Sequence, residues 1–213
     1  MFNYASRFDF PYPEVMEALS TRAIGRAAVR DELARIALPR FFEDGFESVT
    51  FDDLAAAAGV SRSTFLRHFG SKEDVVLYVF DPLGDAISGV LASRPTDEDE
   101  WVSLRRAVDP VVELLTRDPG AGLALISLVW KTPALWSRLH EKQGSWRPAI
   151  ADLLAERAGA DAAPILVLRT RAMAALGCLM VAFDSWVMGE GSDDLAALTD
   201  TTFGSLAPAD STT

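Results

Sequence analysis

Apolar positions along this chain recur at three- and four-residue intervals, and no stretch alternates apolar with polar residues for the length of a strand. Leu33, Ala34, Ala37, Leu38 and Phe41 mark a first helical stripe, which Gly45 ends. Pro39 lies inside it. A mid-helix proline costs about 3 kcal/mol, so a bend is predicted there. Thr50 offers an N-cap with Asp53 three residues on, a capping-box spacing, and that short helix runs to Gly59. Ser61 caps the next helix, which stops near Gly70. Ser71 caps a fourth, with Asp74 at its third position, running to about Leu91.

The acidic "TDEDEW" opens a fifth helix near Asp97, because negative charge complements a helix N-terminus; Pro110 predicts a bend before its end at Arg117. Asp118-Pro119 and Thr132-Pro133 each read as a cap followed by proline at the first helical position, opening the sixth and seventh helices. Gly144 and Pro148 are predicted to break or kink the seventh, and Gly159 ends it. An eighth runs from about Ala163 to Met188, and a ninth starts at Ser192. The pattern predicts an all-α chain of about nine helices.

Charge changes the picture. The chain has 213 residues and a formal net charge of -11. A protein that coats nucleic acid is usually basic throughout, so any DNA contact must come from a local patch. One such patch exists. No Asp or Glu occurs from Leu54 through Lys72, a window that holds Arg62, Arg67, His68 and Lys72. The single cysteine, Cys178, lies in an apolar run and reads as a core residue, which suits a reducing cytoplasm. No apolar run approaches the roughly 20 residues of a membrane-spanning helix, so no membrane partner is expected. Residues 1–20 read as a tail or N-terminal extension with no signal-peptide core.

The acid-free window has a structural reading. Two short helices, Phe51 to Ala58 and Ser61 to Phe69, joined by a tight turn at Gly59, form a helix-turn-helix. Val60, Phe65 and Phe69 hold the helices together and leave Arg62, Ser63, Leu66 and Arg67 facing outward. A helix fits the major groove of DNA, where an acid would be repelled by phosphate.

"GFESVTFDDLAAAAGVSRSTFLRHFGSKEDVV" resembles the N-terminal domain of the tetracycline-repressor (TetR) family of transcriptional regulators. The matching pieces are Gly45-Phe46, Thr50, Asp53-Leu54-Ala55, Ala58-Gly59-Val60-Ser61, Thr64, His68-Phe69 and Ser71-Lys72-Glu73, within about residues 22–80. The resemblance implies that Thr50 and Lys72 grip phosphates, and that Ser61, Arg62, Ser63, Thr64, Arg67 and His68 form the recognition helix and its rim. Leu66 stands where the family usually has tyrosine; it can contact a thymine methyl but donates no hydrogen bond. The family fold implies a DNA-binding head (21–80), a ligand-binding and dimerisation domain (81–208) and a frayed end (209–213).

The second half carries no motif of chemistry. His140 has no partner at metal-ligand spacing, and no phosphate loop or nucleophile motif occurs, so neither an enzyme, a metal nor a cofactor is expected. Large apolar residues stand on bent helices: Trp101, Leu104, Val108, Ile126, Trp130, Trp136 and Trp146 are the candidate lining of a pocket for a small apolar or amphipathic effector. "FDSWVMGEGSDDLAALTDTTFGSL" is similar to acyl-CoA-like ligand-binding domains of the family. The eighth helix is apolar on several faces and must be covered on both sides. Leu176, Leu179, Phe183 and Trp186, with Leu195 and Leu198 of the ninth helix, are the candidate homodimer interface. The expectation is a homodimeric, effector-released repressor on a palindromic operator. The alternative is a small-molecule-binding protein of the same fold with weak or lost operator binding, motivated by Leu66, Pro39 and the acidic balance.

Overall fold

The computed structural model describes residues 21–159 and 163–207, with the side chains of 21–24 set aside. The predicted N-terminal extension, 1–20, and frayed end, 209–213, lie outside the described residues. Every regular element in the described part is helical. We number the helices α1 (Thr21–Asp44), α2 (Phe51–Ala57), α3 (Arg62–His68), α4 (Lys72–Ser93), α5 (two segments, Glu100–Ala107 and Asp109–Thr116), α6 (Pro119–Lys131), α7 (Pro133–Ala158), α8 (Ile165–Met188) and α9 (Leu195–Ser205). Counted with their interruptions, these are the nine helices that the apolar pattern predicts.

The prolines behave differently from one another. Helix α1 continues through Pro39, and α7 continues through both Gly144 and Pro148, so none of these residues ends its helix. A buried stripe of Leu135, Leu139, Gln143, Trp146, Ile150 and Leu154 runs the length of α7, and its packing offsets one lost backbone hydrogen bond. Helix α5 does break, at Val108, two residues before Pro110, which has no N–H for the Arg106 carbonyl. Pro82 acts likewise in α4. It cannot donate to the Tyr78 carbonyl, which instead accepts from Asp81 N–H at 2.9 Å, and Leu77–Phe80 tighten into a 3-10 turn. Helix α5 starts three residues later than predicted, at Glu100, because Asp99 caps it by accepting from the N–H groups of Trp101 and Val102.

The chain divides into two compact units. The first runs to Asp81 and includes Lys131–Trp136; the second comprises Pro82–Trp130 and the chain from Ser137. The first is built on aromatic rings. Phe41 stacks near Phe46 (5.4 Å), Phe65 lies between Phe51 and Phe69 (5.9 and 5.6 Å), and Phe69 meets Tyr78 edge-on at 5.5 Å. Arg30 of α1 lies over the rings of Phe69 and Tyr78 and pairs with Asp81, while the Tyr78 hydroxyl donates to Asp31 at 2.7 Å. Burial pushes the Asp31 carboxyl above its usual range despite that hydrogen bond.

The second unit is built on long aliphatic stripes. The Trp101 indole of α5 donates to the Phe203 carbonyl of α9 at 2.9 Å, and Arg105 reaches Asp200 at 2.6 Å. Arg157, in the last turn of α7, donates to the carbonyls of Leu91, Arg94 and Pro95 and to the Ser103 hydroxyl, gathering the end of α4 and the start of α5. The Trp146 indole sits where a Cβ on Gly84 would be 2.5 Å away, so α4 and α7 pack this closely only over glycine.

The structure bears on two further expectations. Leu176, Leu179, Phe183, Trp186 and Leu195 are buried within this chain, and Leu198 is half-buried. The residues of α8 that remain outside are others. Helices α4 and α8 are also long and apolar enough to cross a membrane by length and composition, although the sequence scan found no run of that length. Charged residues at Arg169, Arg171 and Asp184 punctuate α8 in sequence. Its inner face, Leu168 to Trp186, is covered by the fold, as in the core helix of a globular protein.

Candidate nucleic-acid interface

The site begins with three caps. Thr50 Oγ1 accepts from the Asp53 N–H at 3.2 Å and donates to the Asp53 carboxylate at 2.6 Å, which in turn accepts from the Thr50 N–H at 2.9 Å. This capping box starts α2 and holds the Asp53 carboxyl below its usual range. Ser61 Oγ accepts from the Thr64 N–H at 3.2 Å to start α3, and Ser71 Oγ accepts from the Asp74 N–H at 3.1 Å to start α4. Between α2 and α3 the chain turns at Gly59, whose φ of +66° is a left-handed conformation that favours glycine. Phe65 and Phe69 face inward and are buried. Arg62, Ser63, Leu66 and Arg67 face outward and are exposed, as the spacing predicts.

Two charged side chains differ from expectation. Lys72, assigned to phosphate by resemblance, donates to the carbonyls of Phe46 and Val49, each at 2.9 Å, and lies 4.7 Å from the Phe46 ring. Two of its three N–H bonds tie down the loop that carries Thr50. In this state it is a positioning residue. Arg62 pairs with Asp52 of α2 at 3.0 Å. Asp52 lies just outside the acid-free window in sequence, but the turn at Gly59 folds it back beside the recognition helix. Only the three-dimensional turn reveals that acid. Arg67 has no ion-pair partner among the described residues and is the freest cation on this face. His68 is half-buried; burial and then the nearby Arg67 and Arg30 charges hold its imidazole below the usual range, which favours the neutral form. The sequence reading also missed Arg30 and Tyr78, which brace the head from α1 and α4. Their signal was an arginine on one helix and a tyrosine on another, 48 residues apart, with no local pattern linking them.

The candidate effector residues do not gather into one described cavity. Leu104, Val108 and Ile126 are buried core residues. Trp146 packs against Gly84, and Trp101 packs on the Phe203 ring at 5.1 Å. Trp130 and Trp136 are half-buried and fall in different units. Of these residues, only Trp101 lines one of the three described clefts, a space of about 310 Å³ with Asp99, Glu100, Thr170, Arg171, Ala174 and Leu206. The other two clefts, of about 170 and 500 Å³, lie between α7 and the outer side of α8. Among the described residues, no group of three or more His, Cys, Asp or Glu is placed to hold a metal.

Comparison with known proteins agrees with this geometry. Residues 37–79 match the family profile of bacterial regulatory proteins of the tetR family. Residues 98–210, more than half of the chain, match the profile of the MftR C-terminal domain. The chain is 32% identical to the transcriptional regulator TcmR of Streptomyces glaucescens over 62% of its own length and 61% of that protein's, so the match spans about three fifths of TcmR. It is 25% identical to MftR of Mycobacterium tuberculosis over 78% of its own length and 83% of that protein's. The transcriptional regulator FadR of Bacillus subtilis, solved in complex with stearoyl-CoA, shares the fold. Its TM-score is 0.58 at 19% identity, covering 81% of this chain and 95% of FadR. A helix-turn-helix head with an outward basic helix and a helical C-terminal half matched by its own profile point the same way: the chain belongs to the TetR family of bacterial transcriptional regulators.

Proposed function

We propose that the chain is a dimeric repressor that binds a palindromic operator through α3 and leaves it when a small apolar or amphipathic molecule binds the second unit. The observation that carries the DNA half is the outer face of α3: Arg62, Ser63, Leu66 and Arg67 exposed together on a rigidly capped helix, with no acid on the helix itself. Arg67 reads base edges or phosphate. The main-chain N–H groups at the start of α2 and Thr50 lie at the rim, and Lys72 holds their loop in place. The effector half rests on family membership and on the acyl-CoA in the FadR structure. Helix α4 runs from one unit into the other at Asp81 and Pro82, which makes it the covalent route by which ligand binding would alter the head. A 100-fold preference of the effector for the non-operator state, about 2.7 kcal/mol, lowers operator affinity by the same factor.

Two observations favour a second reading, an effector-binding protein with weakened operator binding. Arg62 is occupied by Asp52, and Lys72 by two carbonyls. One experiment separates the readings. Binding to the DNA upstream of the chain's own gene is measured across a salt series for the wild type, Arg67→Ala and Asp52→Asn. On the first reading Arg67→Ala costs about 1–3 kcal/mol. Asp52→Asn tightens binding, because Arg62 no longer has to leave a carboxylate to reach phosphate. Binding that is weak, independent of sequence and unchanged in both variants establishes the second reading.

A further inference from the structure

One residue on the outer face of α3 differs in chemistry from its neighbours. Among the described residues of the first unit, large apolar side chains are exposed at two positions, Val29 and Leu66, and Leu66 is 38% exposed between cations. Helix geometry fixes the direction in which it points. At about 100° per residue, with Leu66 taken as zero, Arg62 points about 40° to one side, and Ser63 and Arg67 point about 60° and 100° to the other. This arc is about 140° wide, and its middle falls between Leu66 and Ser63, about 30° from each. Buried Phe65 points about 130° away from that middle. Arg62 lies at one flank, where it pairs with Asp52 of α2. A helix with its side chains is about 10–12 Å across and the major groove is about 12 Å wide, so flanking residues meet the phosphate walls and central ones meet the base edges on the floor.

We propose that Leu66 is a specificity-determining residue that requires a thymine in each operator half-site and packs on its 5-methyl group. The proposal rests on the DNA-binding reading above and deepens it by naming a base. Leu66 has no donor or acceptor, and the thymine methyl is the apolar group that a base pair presents in the major groove. Packed on that methyl, the leucine removes apolar surface of both from water. Over a guanine or cytosine edge it would strip water from polar atoms and return no hydrogen bond, which is unfavourable. The same side chain therefore favours one base and disfavours the others. Its neighbour at the middle of the arc is already engaged: Ser63 Oγ lies 3.0 Å from Ser61 Oγ, which also caps the helix by accepting from the Thr64 N–H. Thr64 carries the other methyl group on α3. It points about 130° from the middle of the arc, and its hydroxyl lies 2.9 Å from Ser61 Oγ.

The test uses the full chain and the duplexes that it selects from a random-sequence pool. Each thymine of the selected consensus is replaced in turn by deoxyuridine, which keeps the base pair and deletes only the methyl. One thymine in each half-site should be sensitive. Its replacement should weaken binding about fourfold, the equivalent of about 0.8 kcal/mol for one buried methyl, and replacement in both half-sites about fifteenfold. Leu66→Ala should weaken binding to the thymine duplex and bind the thymine and deoxyuridine duplexes equally, within about 1.5-fold. Its far-ultraviolet circular dichroism should match the wild type, because Leu66 is outside the core. Thr64→Ser, which deletes the other methyl on α3, should keep the wild-type difference between the two duplexes. A consensus with no methyl-sensitive thymine, or a sensitivity that persists in Leu66→Ala, overturns the assignment and leaves the DNA-binding reading standing. A chain that selects no consensus overturns both.

Discussion

The first unit packs short helices around aromatic rings, whereas the second packs long helices around aliphatic stripes. In the head, α2 and α3 have seven residues each, too short to be stable alone, and each start is fixed by a capping side chain three residues before the N–H that it accepts. Phe65, Phe69 and Tyr78 supply the burial that caps cannot. In the second unit, α7 and α8 have 26 and 24 residues, and α7 carries a proline inside it without breaking. Its order comes from contacts between elements far apart in sequence: Arg157 on four acceptors, Trp101 on the Phe203 carbonyl, Trp146 over Gly84. The starts of α2 and α3 are therefore specified locally, whereas both units are braced by residues far apart in sequence, Arg30 with Asp81 in the head and Arg157 in the second unit. A local specification presents a fixed surface, as base reading demands.

The largest expected effect breaks the second unit. Leu179→Glu buries an unpaired charge at a site with no exposure and should cost about 3–5 kcal/mol or abolish folding. Met173→Glu, six residues away and exposed, should leave the fold and its stability unchanged. Thermal unfolding of both variants checks this, and equal loss of stability would erase the distinction between inner and outer faces of α8. Next, Phe65→Ala removes the ring at the centre of the head's aromatic cluster and should cost about 3–5 kcal/mol. Calorimetry should then show the head melting separately while the second unit's transition stays in place. A smaller effect follows from Arg157→Met, which keeps the stem and removes the four donated hydrogen bonds. It should cost about 2 kcal/mol, with hydrogen exchange rising at the α4–α5 junction and not in α2 or α3. Smaller again, Thr50→Ala should cost about 1 kcal/mol, with exchange rising only at the start of α2.

The smallest effect is on pH dependence, and it sharpens the contrast. The folded head holds His68 below its usual pKa, so the unfolded chain binds the proton more readily. Head stability should fall as pH drops below about 6.5, and His68→Gln should remove that slope. In the second unit, hydrogen bonds from Arg94 and then Ser103 pull Glu98 from 4.5 down to about 2. The stability from that group is complete above 4.5 and is lost as pH falls toward 2; Glu98→Gln should flatten that loss. Acid titration followed by near-ultraviolet circular dichroism should therefore show the head responding first.

Most of the fold was legible because helical spacing, caps and turn glycines are local signals. Thr50, Ser61 and Ser71 cap as their spacing says, and Gly59 turns as a helix-turn-helix requires. The outward face of α3 follows from helix periodicity once Phe65 and Phe69 are assigned to the inside. What the sequence left undecided was pairing at a distance. Asp52 stands just beyond an acid-free window in sequence yet reaches Arg62 in space. Lys72 has the residue type and position of a phosphate ligand, yet two carbonyls 23 and 26 residues earlier hold it. Helix α8 is apolar on several faces, and periodicity alone does not say which is covered by the chain's own helices and which is left outside. Hydrogen-bond partners and burial are properties of neighbours brought together by the whole fold, whereas caps, turns and helical faces are set within a few residues. That is why the sequence by itself determined the helices and the recognition face, and only the tertiary structure decided which charges on that face are free and which side of α8 remains exposed.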